Sequence, residues 1–162
     1  YYQVMEELDA FYLQRAVELS AKSLTDAPGG PFGAVIVKDG EVIAEGWNEV
    51  TSRFDPTAHA EMQAIRKATN KLKQFHLTGA VLYSSCEPCP MCLSAIYWAK
   101  IDRVVFANTR KQAEEIGFSD AFIYEEVSLQ PHVRSIPCEH LPSKEASKIF
   151  VDWKAKESKI LY

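Results

Sequence analysis

The sequence predicts an α/β fold in which a mixed sheet is covered by helices. Three observations carry that prediction: a pair of strand-like runs around Asp39-Gly40, a later alternation of apolar runs with helical spacings, and no repeat or composition break that would divide the chain. Taken in order, Leu8, Phe11, Tyr12, Arg15 and Leu19 recur at helical spacing from about Met5 to Ser23. Asp26-Ala-Pro-Gly-Gly-Pro31 ends that helix with turn formers. Gly33-Ala-Val-Ile-Val37 and Val42-Ile-Ala-Glu-Gly-Trp47 flank Asp39-Gly40, a dipeptide suited to the positive φ angles of a type I′ turn, so two antiparallel strands are expected. Asn48 to Asp55 reads as a polar loop. Asp55-Pro56 has the form of an N-cap followed by a first-turn proline, which predicts a helix through Ala60, Ala64, Ile65 and Ala68. Ala80-Val-Leu-Tyr83 reads as a short buried strand, and Pro90 opens a second helix over Met91 to Ala99. Arg103-Val-Val-Phe-Ala107 is a further strand and Thr109 to Ile116 a further helix. Gly117 to His140 has no clear period. Ser143 to Lys156 sets Ala146, Ile149, Phe150 and Trp153 at helical spacing and predicts a C-terminal helix. A single domain over residues 1–162 is expected.

Composition narrows the class. A chain of 162 residues buries about two-thirds of its unfolded surface. The 47% hydrophobic and 25% charged residues are ordinary for a water-soluble globular protein. No apolar run approaches the roughly 20 residues of a membrane span. Tyr1-Tyr-Gln-Val-Met-Glu-Glu lacks the basic start and apolar core of a signal peptide. A net charge of −4, with only a loose Arg66, Lys67, Lys71, Lys73 group, points away from a nucleic-acid partner. Four cysteines, three of them between Cys86 and Cys92, do not form a disulfide framework, and a cytoplasmic setting is expected.

The chemistry concentrates in two stretches, Pro56-Thr-Ala-His-Ala-Glu61 and Ser84-Ser-Cys-Glu-Pro-Cys-Pro-Met-Cys92. Cys89 and Cys92 stand three apart at a helix start, where the positive end of the helix favours thiolate over thiol. His59 begins the other helix. Two thiolates and one imidazole suit a zinc ion and leave its fourth position open for water. Glu61 cannot share the His59 side of a regular helix, since i and i+2 stand about 200° apart. It therefore reads as the proton carrier beside the metal and not as a fourth ligand. Other readings of the cysteines are a redox pair, or a structural zinc closed by Cys86. The His59-Ala-Glu61 element and the prolines bracketing the cysteines argue against both. Cys138, His76, His132 and His140 read as ordinary surface or core residues.

Together with Pro31-Phe-Gly-Ala-Val-Ile-Val37, these stretches resemble the cytidine deaminase superfamily, whose zinc deaminases combine His-x-Glu with Pro-Cys-x-x-Cys. Within it the chain is most similar to the bacterial guanine deaminases, through Ala95-Ile-Tyr-Trp-Ala99 and Gly117-Phe-Ser-Asp-Ala-Phe-Ile-Tyr124 to the terminal tyrosine. The resemblance implies a three-layer α/β/α fold around a five-stranded sheet. It also implies zinc-dependent hydrolysis of guanine to xanthine and ammonia, a step of purine breakdown or salvage. One zinc per subunit would be held by His59, Cys89 and Cys92, with Glu61 moving protons. Phe32 would wall the purine, Asn48 would hydrogen-bond it, Asp120 would read its N–H edge and Tyr162 would help close the site. A homodimer that exchanges C-terminal segments, from about Gly117 onward, is implied as well. Guanosine deaminases resemble the chain in the same motifs, so base and nucleoside both stay open. A tRNA adenosine deaminase would tend to carry Val at Phe32 and Leu at Cys86, with a more basic C-terminal helix.

Overall fold

In the computed structural model, which describes residues 2–25 and 28–162, the hairpin turn has the expected form. Asp39 and Gly40 have φ of 52° and 76°, the mirror-image turn that matches strand twist. It joins β1 (Gly33–Lys38) to β2 (Glu41–Trp47) in an antiparallel pair. β3 (Ala80–Cys86) lies antiparallel on the other side of β1, and β4 (Arg103–Asn108) runs parallel to β3. The order is β2-β1-β3-β4, so β1 and β3 are central. β1 is buried along nearly its whole length, which explains its unbroken apolar run.

The helices cover both faces. α1 (Tyr2–Ser20) packs Ala16 and Leu19 on Val35, Val37 and Tyr83. On the opposite face α3 (Ala60–Leu72) and α4 (Pro90–Trp98) bury Ala60, Ala64, Ala68 and Ile96 against Ala34, Ile36 and Leu82. Between β2 and α3 lies a short helix, α2 (Val50–Arg53), where a polar loop was expected. Helix and sheet backbones come close enough to require glycine at Gly46, where a Cβ would stand 2.2 Å from the Ala60 carbonyl oxygen. That close approach seats the start of α3 on β2.

Several expectations need correction. The sheet has four strands among the described residues, not the five the resemblance implies. The chain after β4 turns into α5 (Arg110–Glu115), α6 (Ala121–Ser128) and α7 (Lys144–Ala155). Pro131, Pro137 and Pro142 punctuate the stretch between α6 and α7, where they lack the N–H that a ladder needs. Of the residues at helical spacing in the first helix, Leu19 is buried while Leu8 and Phe11 are 49% and 68% exposed. Asp9 sets the rotation of that helix instead: the Tyr83 hydroxyl donates to it at 2.7 Å and both Arg103 Nη atoms donate at 2.8 and 2.6 Å. The predicted turn after α1 begins with Asp26 and Ala27, which lie outside the described residues.

The chain divides into two units, residues 1–120 and 121–162. Within the second, Ser143 caps α7 by accepting the Ala146 N–H at 3.1 Å. The Glu126 carboxylate accepts from the Ser135 N–H and hydroxyl, both at 2.8 Å. None of its residues is buried.

Candidate active site

The two helices that carry the motif residues both start with an extended residue, and that residue is a ligand candidate in each case. His59 is the N-cap of α3, with φ −67° and ψ 157°. Cys89 is the N-cap of α4, with φ −67° and ψ 169°, followed by Pro90 at the first helical position. The helix expected to open at Asp55-Pro56 begins at Ala60 instead. Asp55 caps a tighter turn, accepting the Thr57 N–H at 2.8 Å and the Thr57 hydroxyl at 2.7 Å. His59 therefore projects off the end of α3, and the helical-wheel separation from Glu61 does not apply to it.

The Nδ1 atom of His59 lies 3.5 Å from the sulfurs of both Cys89 and Cys92. All three donor atoms fall within 4.8 Å of one another. A tetrahedral zinc with bonds of about 2.3 Å to sulfur and 2.0–2.1 Å to nitrogen spaces such ligands about 3.5 Å apart, so the donors fit the ion. Charge supports the same fit. The Cys92 thiol, with help from His59 and the Cys92 backbone N–H, draws the Cys89 thiol down to about 4 against the effect of burial. The resulting thiolate, together with burial, pushes the Cys92 thiol well up. Two adjacent thiolates therefore need a cation between them. His59 is raised, chiefly by its hydrogen bond with Cys89.

Glu61 is 6% exposed and lies against the Cys92 thiol. Burial is the main cause that raises its carboxyl, which makes it a stronger proton acceptor than a surface carboxylate. It is not part of the three-residue donor group. Cys86, the candidate for a closed structural shell, is also outside that group: its thiol is directed to the Thr109 carbonyl at 3.7 Å and is pushed up to about 11 by burial.

Asn48 is buried after β2, and its side-chain oxygen accepts N–H groups from Gly30 and Val50, each at 3.2 Å. Two backbone donors fix which end of the amide is oxygen, and they leave the amide nitrogen as the end offered to a ligand. The Asn48 N–H donates to the Phe32 carbonyl at 3.1 Å, so the two expected purine contacts sit side by side. Phe32 meets Phe118 edge to face, with centroids 5.0 Å apart. Sequence reasoning missed Phe118 as a contact, although it lies inside the Gly117–Asp120 segment. That segment is held by the end of α5: Gly117 has φ 98° and the Phe118 N–H reaches back to the Ala113 carbonyl at 2.9 Å. Asp120 is raised by burial first and by the Cys89 charge second, so it lies within the electrostatic reach of the metal set. Tyr162 belongs to the second unit and is 74% exposed.

Residues 6–108 match the model of the cytidine and deoxycytidylate deaminase zinc-binding region. The chain belongs to this family. Zinc is thus the cofactor of its three-residue donor set, and the fold is the cytidine deaminase-like one. Among the relatives of this family member is the guanine deaminase of Bacillus subtilis (strain 168), 50% identical over 143 residues, which span 88% of this chain and 92% of that protein. A crystal structure of guanine deaminase from Bacillus subtilis superposes with a TM-score of 0.91 at 48% identity, over 94% of this chain and 98% of that one. A tRNA-specific adenosine deaminase of Aquifex aeolicus (strain VF5) is 36% identical, over 88% of this chain and 91% of that one.

Proposed function

We propose that this family member hydrolyses guanine to xanthine and ammonia, within purine breakdown or salvage. The observation that carries the reading is the 50% identity to a guanine deaminase along nearly the full length of both chains. In the reaction a bond forms between water oxygen and purine C2, the C2–N bond breaks, and the amine leaves as ammonia. When bound, zinc supplies the Lewis acidity that makes water a nucleophile near neutral pH. Glu61 is the proton carrier: its carboxylate takes a proton from the attacking water, gives it to a ring nitrogen and then serves the leaving amine. His59, Cys89 and Cys92 hold the metal.

Substrate contacts come from other residues. The Asn48 amide N–H₂ donates to a purine acceptor, the role left to it by its engaged oxygen. Phe32, backed by Phe118, walls the ring. The Asp120 carboxylate accepts from the N1–H edge of guanine, where adenine presents an acceptor instead. Tyr162 closes the site. The working form is a homodimer exchanging C-terminal segments. Phe122, Ile136, Leu141 and Phe150 are 61 to 89% exposed, and such apolar surface favours a covering partner. Among the described residues no helix is long and apolar enough to cross a membrane. A cytoplasmic setting keeps thiols reduced and suits the four free cysteines.

The test is ammonia release from guanine, guanosine, adenosine, cytosine and a tRNA anticodon stem-loop. Release from guanine is expected to exceed the rest. Activity confined to the stem-loop would make the protein an RNA-editing enzyme, and preference for guanosine would make it a nucleoside deaminase.

A further inference from the structure

Asn48 and His59 stand at the two ends of one loop, and a chain of side chains that the proposed chemistry does not use ties this loop to α3. Gln63, one turn after His59, is 5% exposed. Its amide nitrogen donates to the Glu49 carboxylate. Its oxygen accepts from Arg66 Nη1 at 2.9 Å, and Arg66 Nη2 donates to the Thr57 hydroxyl oxygen at 2.9 Å. The Thr57 hydroxyl in turn donates to Asp55 at 2.7 Å. At the other end, Arg53 Nε lies 3.2 Å from the second Glu49 oxygen. Burial works to raise the Glu49 carboxyl, but the bonds from Gln63 and Arg53 outweigh it and hold the group below its ordinary range.

A buried position on a helix is ordinarily filled by an apolar side chain, and an amide is tolerated there only when its ends are partnered. Gln63 has both ends partnered, one by the residue next to Asn48 and one by the arm that reaches Thr57. The remaining supports of Asn48 are Gly30, Val50 and Phe32, none of which belongs to α3. Glu49 is thus the side-chain link between the purine-reading end of the loop and the helix that begins with His59 and Glu61. A second link is its backbone N–H, which donates to the Ala58 carbonyl at 2.9 Å.

We propose that the Glu49–Gln63 pair is a positioning element that sets the Asn48 amide relative to the His59–Glu61 end of α3, so that the purine is held in register with the proton carrier. Reaction geometry rewards such a staple, because a misplacement of about 1 Å can cost roughly 100-fold in rate. The inference rests on Asn48 meeting the purine, as proposed above.

The test uses the full zinc-loaded protein unmutated and as Gln63→Leu, Gln63→Glu and the exchange Glu49→Gln/Gln63→Glu. Zinc content, melting temperature, kcat and KM for guanine, and amide hydrogen exchange at residues 48–50 are read in each. Gln63→Glu sets two carboxylates against one another. It is expected to lower kcat/KM by about tenfold or more, to keep one zinc per chain, and to speed exchange at residues 48–50. The exchange variant reverses the partners and is expected to return both readouts to within about threefold of the unmutated protein, the non-additivity of a direct pair. Gln63→Leu adds no charge and carries the same expectation if Gln63→Glu does not fold. A lower melting temperature with kcat/KM and the 48–50 exchange unchanged would make the pair merely structural and overturn the proposal. An exchange variant no better than Gln63→Glu would overturn it too. If the unmutated protein does not act on guanine, the substrate reading fails by itself. The amide exchange then decides the pair: acceleration in Gln63→Glu with rescue in the exchange variant supports it, and no acceleration overturns it.

Discussion

His59 and Cys89 occupy helix N-caps with Cys92 one turn further on, whereas Phe32, Asn48 and Asp120 come from segments outside any helix or strand. The difference separates two kinds of construction. Each ligand of the first set is placed by the start of its own helix, α3 being seated on the sheet by Gly46 and its alanines and α4 by Ile96. The second set is placed by bonds between distant segments: Gly30 to Asn48, Asn48 to Phe32, and Phe118 on Phe32. The first set should therefore govern the reaction and the second the choice of substrate, with the Glu49–Gln63 pair as the tie proposed between them.

The largest effect expected from this division is at Glu61. Glu61→Gln keeps the shape of the side chain and removes the proton transfer proposed for it. Turnover of guanine is expected to fall by roughly 10²–10⁴-fold, the ordinary scale of general acid–base help, while zinc stays bound. Steady-state kinetics with metal analysis of the same sample decides it; undiminished turnover would take Glu61 out of the mechanism.

The same contrast explains what could be read from the chain. The metal set His59, Cys89 and Cys92 was legible because its spacing and the adjoining prolines encode local geometry. The hairpin was legible because Asp39-Gly40 permits few other turns. The start of α3 was misjudged, since Asp55-Pro56 imitates a cap, and only the capture of the Thr57 N–H and hydroxyl by Asp55 reveals the tighter turn. The rotation of α1 was not legible either. It depends on Asp9 meeting Tyr83 and Arg103, residues 74 and 94 positions away. Phe118 and Gln63 escaped notice for a similar reason: each acquires its meaning from a partner in another segment.

A smaller effect is expected at the chain end. Removing Leu161 and Tyr162 should raise KM for guanine by roughly two- to tenfold, the value of one hydrogen bond of about 0.5–1.5 kcal/mol. The chain should stay folded, because neither side chain is buried within its own subunit. Unaltered kinetics would place Tyr162 outside the substrate set and sharpen that set to residues of the first unit.

The division of labour is tested most directly by Asp120→Asn, assayed with guanine and with 2-aminopurine, which carries the same leaving amine but presents an acceptor at N1. The ratio of kcat/KM for guanine over 2-aminopurine is expected to fall by about tenfold or more, because a carboxylate suited to an N–H gives way to a group that can also donate. One zinc per chain should remain. An unchanged ratio, or loss of the metal along with the preference, would contradict the separation of reaction from recognition.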